Sequence, residues 1–333
     1  MGKVTLKDLS KILNISVSTI SKALNDSTEI STKTKKRVLK TVEIYGYQPN
    51  LIAKRLKSGK TFTFAVVIPS IQDSFFVRVL HGIEEAASIT EYNLITCSTR
   101  NSYAKEVETI KSLSNGLVDG FIIAPGKETL IEQKFSHFKS LINSNKPIVF
   151  IDRGIESLKS CLIKSNNKQA VYNATNKLIN KGKRKIGIVS YNSNINTGRE
   201  RIEGYIQSLN EHNINILPSS ITRLDKENSE KELQKHLSID EFDAFICTDE
   251  QSSYDVLRMI KKSKFNVPDD ISVIGYMDEN VAQNIDPQLT TINQHRKTIG
   301  NKAFKLLIGN IHNIEMKEKT LKINSTLEIR ESF

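Results

Sequence analysis

The sequence predicts an α/β protein in two parts, a small all-helical N-terminal unit followed by two doubly wound parallel-sheet subdomains. Three observations carry this expectation. The first sixty residues place apolar side chains at helical spacing in three short runs. From Thr61 onward, near-continuous apolar runs of strand length alternate with amphipathic stretches, the pattern of parallel sheets covered by helices on both faces. Charge divides at the same place. Residues 1–60 hold 13 Lys and Arg against 4 Asp and Glu, a net of +9 out of +11 for the 333-residue chain.

The composition, 38% hydrophobic and 26% charged, excludes collagen-like, mucin-like and wholly disordered readings. Apolar runs such as 64–68 and 121–124 are far too short to span a bilayer. The opening MGKVTLKDLSKIL has no apolar core of a secretory signal, so the cytoplasm is the expected compartment and no membrane partner is expected. Cys97, Cys161 and Cys247 lie far apart without a CxxC pair, as expected of free thiols in a reducing compartment. The six histidines show no metal-ligand spacing, so neither metal nor other cofactor is expected.

In the first unit, Thr5 can cap a helix in which Leu6, Leu9, Ile12 and Leu13 share a face. Asn14 can adopt the left-handed backbone of a tight turn. Ser16 can cap a second helix over 17–24, and Asn25-Asp26-Ser27 breaks it. Ser31 can cap a third, with Val38, Leu39, Val42 and Ile44 at buried positions and Lys33, Lys35, Lys36, Arg37 and Lys40 in solvent, ending near Gly46. Two short helices joined by a three-residue turn, closed by a third, form a helix-turn-helix layout, and the basic charge suits DNA phosphates. A plain three-helix bundle would show the same periodicity, and a solvated basic tail the same charge.

VTLKDLSKILNISVSTISKALN resembles the start of LacI/GalR-type transcriptional regulators, matching at Val4, Thr5, Leu6, Asp8, Leu9, Ser16, Thr19, Ser21, Leu24 and Asn25. Asn14 replaces the usual turn glycine, and Lys22 the usual Arg, giving a point donor instead of a bidentate fork. The resemblance continues at Tyr47, Pro49, Asn50, Ala53 and Leu56, the family's hinge helix. It implies DNA contacts from Thr5, Ser16, Val17, Ser18, Ser21, Lys22, Asn25 and Ser31, and from Asn50, Ala53, Lys54 and Leu56 of the hinge. Paired hinge helices of a homodimer would enter the minor groove, with Leu56 wedging a base step apart. Without the resemblance, residues 49–60 read equally as a basic linker.

In the remainder, strands are expected over 64–68, 93–96, 120–124, 147–151, 186–190, 244–248 and 272–276, and helices over 75–89, 103–113, 166–180, 199–210, 251–261 and 295–308. Enzyme signatures are missing. There is no GxGxxG or GxSxG, and in GFIIAPGKE the glycine spacing is one residue too long for a P-loop. FAVVIPSIQDSFF, KPIVFIDR, RERIEGY, FICTDE, VIGYMD and DPQLTTINQ resemble the periplasmic-binding-protein-like type I core of the same family, so the similarity spans the chain. It implies a helix-turn-helix domain over 1–48, a hinge helix and linker over 49–60, and an effector core over 61–333. Within that core, an N-subdomain would cover about 61–160 and 294–322, and a C-subdomain about 161–293 and 323–333.

Ligands of open α/β sheets bind beyond the carboxyl ends of the strands. The resemblance implies an effector cleft there, lined by Phe75, Phe76, Asp152, Arg153, Arg201, Thr248, Asp249 and Asp278. Carboxylates and guanidinium groups suit a polyol, and an aromatic ring packs on the apolar face of a sugar. Core packing for the phenylalanines and a surface ion pair for Arg201 are the plainer readings. Met277 stands where many members carry Asp, and Thr248 where Asn is common. The expectation is a cytoplasmic repressor, not an enzyme. It would bind a near-palindromic double-stranded DNA operator as a homodimer, with higher oligomers open, and answer to a small-molecule effector, a sugar or sugar derivative. Self-association is expected through 75–89, which carries Val77, Val79, Leu80 and Ile83. A stand-alone periplasmic-type binding protein and an α/β enzyme are the competing classes.

Overall fold

The computed structural model describes residues 4–47, 60–155, 157–224, 233, 241–312 and 318–333. The hinge positions Asn50, Ala53, Lys54 and Leu56 lie outside the described residues. The chain divides into two compact units, Met1–Thr61 and Phe62–Phe333.

The first unit holds α1 (Leu6–Leu13), α2 (Val17–Leu24) and α3 (Thr32–Ile44). Thr5 and Asp8 form a reciprocal capping box on α1, and Ser16 and Ser31 accept the Thr19 and Thr34 N–H groups. Asn14 takes φ 52°, the left-handed turn its side chain tolerates, so α1 can reverse into α2 within three residues. Gly46 at φ 58° ends α3 and returns the Tyr47 N–H to the Val42 carbonyl at 3.0 Å. Leu9, Leu13, Ile20, Ala23, Val38 and Tyr47 form the core.

Two expected core positions of α3 are instead in solvent. Leu39 is 53% and Ile44 66% exposed, because one helical step past Val38 turns a side chain about 100° off the buried face. Ile12 and Val17 are exposed in the same way, while Tyr47 beyond the helix closes the core.

The second unit contains two six-stranded sheets. Their strands are β1 (Thr63–Ile68), β2 (Asn93–Ser98), β3 (Gly120–Ile123), β4 (Ile148–Ile151), β5 (Cys161–Ser165), β6 (Ile186–Ser190), β7 (Ile221–Arg223), β8 (Ala244–Cys247), β9 (Ser272–Gly275), β10 (Thr290–Asn293), β11 (Thr320–Ile323) and β12 (Thr326–Glu328). The orders are β11-β5-β4-β3-β1-β2 and β12-β10-β9-β8-β6-β7. β1, β3, β4, β6, β8 and β9 are buried at every residue, as parallel strands covered on both faces must be. Among the described residues, the one departure from a parallel pattern is β12, an edge strand that pairs antiparallel with β10. The chain passes between the lobes at residues 165–167, 293–296 and 323–326.

The covering helices are α4 (Ser74–Ala87), α5 (Tyr103–Ser114), α6 (Lys127–Ile131), α7 (Ser136–Asn143), α8 (Asn167–Asn180), α9 (Asn196–Glu211), α10 (Glu250–Lys261), α11 (Glu279–Asn284) and α12 (Arg296–His312). The apolar stripe of α4 serves mainly its own sheet. Val79 and Ile83 are fully buried and Leu80 partly, which leaves Val77 facing solvent.

α4 and α12 pack at backbone distance. A Cβ on Gly82 would stand 2.1 Å from the Lys297 carbonyl oxygen, and one on Gly300 2.0 Å from that of Val79. Overpacking of this kind destabilises by about 1–3 kcal/mol. Gly300→Ala is therefore expected to lower the urea midpoint of the second unit, and unchanged unfolding would mean that the two helices separate easily.

Candidate functional site

On the first unit, Val17, Ser18 and Lys22 stand exposed on α2, with Ser21 half-buried beside them. Thr5, Ser16 and Ser31 are exposed at three helix N-termini, where backbone N–H groups and the helix dipole favour anions. Asn25 closes α2 by donating its amide to the Ser21 carbonyl at 2.9 Å. Lys22 is ion-paired with Glu29, a partner that the sequence reading did not single out.

In the second unit, the predicted cleft residues fall beyond the carboxyl ends of strands, and the structure separates them into two kinds. Asp152, Arg153 and Arg201 are brought together, each less than a tenth exposed. Arg153 donates Nη1 to the Pro125 carbonyl at 3.1 Å and to Asn101 Oδ1 at 3.3 Å, and its guanidinium lies 5.4 Å over the Phe76 ring. Arg201 donates Nε to Asn167 Oδ1 at 3.0 Å and Nη1 to the Thr248 carbonyl, and stacks 4.1 Å over Tyr276. Asp152 sits at φ 62° with the Arg153 Nε 3.5 Å from its Oδ2, too long for a good hydrogen bond. Burial raises the Asp152 carboxyl above the usual range, against the pull of Arg153 and Arg201. Arg153 Nε and the Tyr276 hydroxyl are buried without a hydrogen-bond partner among the described residues.

The other predicted residues are engaged in the scaffold. Thr248 is buried and donates its hydroxyl to Asp249 at 3.2 Å. Asp249 caps α10 and accepts the Tyr191 N–H. Phe75 and Phe76 pack edge-to-face at 5.1 Å within the lobe core, so core packing claims most of both rings. Asp278 caps α11 and takes a two-pronged bond from Arg78 Nε and Nη2, at 2.6 and 2.9 Å. That bond crosses the lobes, as do Ser74 to Glu250, Lys127 Nζ to the Tyr191 carbonyl and Arg296 Nη2 to the Met277 carbonyl.

Sequence reasoning missed Tyr276, Arg296, Arg78 and Glu106. Tyr276 lies inside the quoted VIGY segment, and Arg296 two residues past DPQLTTINQ, so both had a positional signal. Arg296 lies 6.0 Å over the Phe75 ring and donates to Ser74 Oγ at 3.0 Å. Glu106 had no such signal. It is fully buried and accepts the Gly126 N–H at 2.7 Å, the Thr129 hydroxyl at 2.6 Å and a contact from His137 Nε2 at 2.9 Å. It thereby fixes the 125–127 loop, which feeds Arg153 and reaches the other lobe through Lys127.

A family model described as bacterial regulatory proteins, lacI family, matches residues 5–50, and a periplasmic binding protein-like domain matches residues 175–333. The chain belongs to the lacI family. It is a DNA-binding transcriptional repressor of that family and not an enzyme. It is 29% identical over 331 residues, 98% of each chain, to the HTH-type transcriptional repressor PurR of Photobacterium profundum. It is 28% identical over 332 residues to the ribose operon repressor of Haemophilus influenzae, covering 99% of this chain and 98% of that protein. Among solved structures, the lac repressor dimer bound to operator and the anti-inducer ONPF matches with a TM-score of 0.88 at 20% identity, covering 99% of both chains. The CelR–cellobiose complex matches with a TM-score of 0.73 at 22% identity, covering 99% of this chain and 100% of that one. At such identities these two structures bear on the fold.

Two outcomes are expected for this lacI-family chain. Glu29→Gln frees Lys22 from its ion pair, so if α2 faces the DNA, affinity rises and the slope of log K against log salt steepens by up to about 0.9. Fluorescence anisotropy at several salt concentrations reads this, and an unchanged slope would place Glu29 away from the DNA. The hydrogen bonds from Arg78 hold the Asp278 carboxyl below its usual range. Its folded value thus lies below its unfolded one, so the stabilisation is complete above the unfolded value and is lost as pH falls through the folded one. Asp278→Asn should lower the thermal midpoint at neutral pH, and the gap to wild type should close in acid.

Proposed function

We propose that the protein represses transcription as a homodimer on a near-palindromic operator, and that a small hydroxylated effector, a sugar or sugar derivative, binds between its two core lobes. The observation that carries the effector reading is the buried set of Asp152, Arg153 and Tyr276, in which Asp152 and Arg153 Nε meet only in a loose ion pair at 3.5 Å and the Tyr276 hydroxyl makes no geometric hydrogen bond among the described residues. A sugar hydroxyl both donates and accepts, so a ligand with adjacent hydroxyls satisfies such a set, where an apolar ligand would leave it unpaired. The name of the ribose operon repressor points the same way.

The operator reading rests on the first unit. A dimer of helix-turn-helix units imposes its two-fold symmetry on the half-sites. The lac repressor structure of similar fold is itself a dimer on operator. Acting on chromosomal DNA, the protein works in the cytoplasm. Residues 1–48 are assigned to DNA reading, 49–60 to the hinge, and 61–333 to effector control. By the family resemblance, Leu56 is the minor-groove wedge, with Asn50, Ala53 and Lys54 around it. Effector binding changes how the lobes meet, and Arg78–Asp278, Ser74–Glu250 and Lys127–Tyr191 are the contacts that exchange.

Arg201→Ala is expected to abolish the effect of the inducing or co-repressing sugar on operator binding while DNA affinity without sugar stays within about twofold. A gel shift across a sugar panel measures both, and a normal response in the variant would move the site elsewhere. Leu56→Ala is expected to weaken binding to the operator more than to random DNA and to reduce DNA bending. Equal bending by variant and wild type would remove the wedge.

A further inference from the structure

A groove of about 350 Å³ lies on the C-terminal lobe, between α8 and the segment at 325–327 just beyond the third crossover. It is separate from the cleft residues described above. Asn173, Asn176, Lys177 and Asn180 line one side, Ser325 faces them, and Ile292 adds an apolar surface. The spacing of the four α8 residues places them on neighbouring turns of one helix.

The chemistry of this lining is one-sided. Asn173 Oδ1 already accepts from Gln169 Nε2 at 2.8 Å, and Asn176 Oδ1 from Ser208 Oγ at 2.6 Å. The carbonyl ends of both amides are therefore engaged, which leaves their –NH2 ends as the groups to be satisfied. The Ser325 hydroxyl is buried with no hydrogen-bond partner among the described residues. Lys177 adds a full positive charge, and none of the lining residues is Asp or Glu. A donor-rich, positively charged, acid-free groove is complementary to an oxyanion, whose several oxygens each accept.

We propose that this groove is a second ligand site, one that binds the phosphate group of a small molecule. Its position gives the ligand leverage. The Ser325 N–H donates to Asn166 Oδ1 at 2.8 Å, and Asn166 Nδ2 donates to Asn324 Oδ1 at 3.2 Å, so the groove wall is tied to both the first and the third crossover. An anion held by Lys177, Asn176 and Ser325 clamps α8 to these crossovers and stiffens the hinge about which the lobes rotate.

The test is calorimetric titration of the full-length protein with inorganic phosphate, with glucose 6-phosphate and with glucose. Wild type is expected to bind at least one of the two phosphates with a Kd of about 1 mM or tighter. Lys177→Glu, a change on an exposed helical face, should weaken that binding about tenfold or more, whereas Arg201→Ala in the cleft should leave it unchanged. Binding of inorganic phosphate identifies the free anion as sufficient, and binding of glucose 6-phosphate alone identifies a phosphorylated metabolite; both support the site. The proposal is overturned if neither phosphate binds, or if Lys177→Glu binds as wild type does. Loss of phosphate binding in Arg201→Ala, or a glucose affinity that falls equally in Lys177→Glu, would also overturn it. Because Arg201→Ala probes the cleft and Lys177→Glu the groove, failure of one assignment leaves the other standing.

Discussion

Charged groups buried where two sheets meet set the terms for the second unit. Asp152, Arg153 and Arg201 are almost wholly removed from water, and each such ion carries a desolvation penalty of several kcal/mol unless local groups answer it. The surrounding chain is arranged to answer it. The end of β8 offers the Thr248 carbonyl to Arg201, the start of α8 offers Asn167, and the loop after β3 offers the Pro125 carbonyl to Arg153. Glu106 then holds that loop from behind through the Gly126 N–H. Asp152 is the member least compensated from within the protein, and it also sits on left-handed backbone. A ligand that donates to it would relieve an unfavourable feature of the unliganded chain, and lobe closure could couple to that relief.

The way the lobes meet makes such coupling physically cheap. Four apolar clusters fill the second unit, and each lies within one lobe, on one face of one sheet. What crosses between lobes is polar: Arg78 to Asp278, Ser74 to Glu250, Lys127 to the Tyr191 carbonyl, Asn196 to the Gly154 carbonyl. Contacts of this kind can be exchanged for water with small net change in free energy, whereas parting an apolar seam would lose about 25 cal/mol for every Å² exposed. Three crossovers keep the lobes in register while polar contacts allow rotation. The close backbone packing of Gly82 and Gly300 keeps α4 and α12 rigid within their own lobe.

The parts legible in the sequence were those that one local signal decides. Thr5, Ser16 and Ser31 each cap a helix because a hydroxyl at the right place satisfies orphan N–H groups, and Asn14 turns left-handed because its side chain permits it. The central strands were legible as unbroken apolar runs. β5, β7, β11 and β12 were not expected as strands, since Lys164 and Lys322 interrupt the apolar pattern of β5 and β11, and the edge strands β7 and β12, of three residues each, have too few positions to show a period. Of the residues expected in the cleft, Asp152, Arg153 and Arg201 lie buried near one another. Asp249 and Asp278 turned out to be helix caps, a use of Asp that sequence alone does not distinguish from ligand binding. Arg78 and Glu106 act through partners 200 and 20 residues away, and no periodicity reports such contacts.

Charge separates the two activities in the same chain. Nearly all of the excess, +9 of +11, lies in the first sixty residues, whose described core is only six buried side chains. A unit that small gains little from burial, and its lysines repel one another until phosphates neutralise them. DNA therefore contributes to its stability as well as occupying it, since whatever binds the folded form alone shifts the equilibrium toward it. The lobes, with a net charge near zero over a much larger chain, neither need nor strongly attract polyanions. Salt should then act on affinity through the first unit and leave the buried cleft almost untouched, because ions screen exposed charges far more than groups already withdrawn from water. Ionic strength thus acts on the protein chiefly through its first unit.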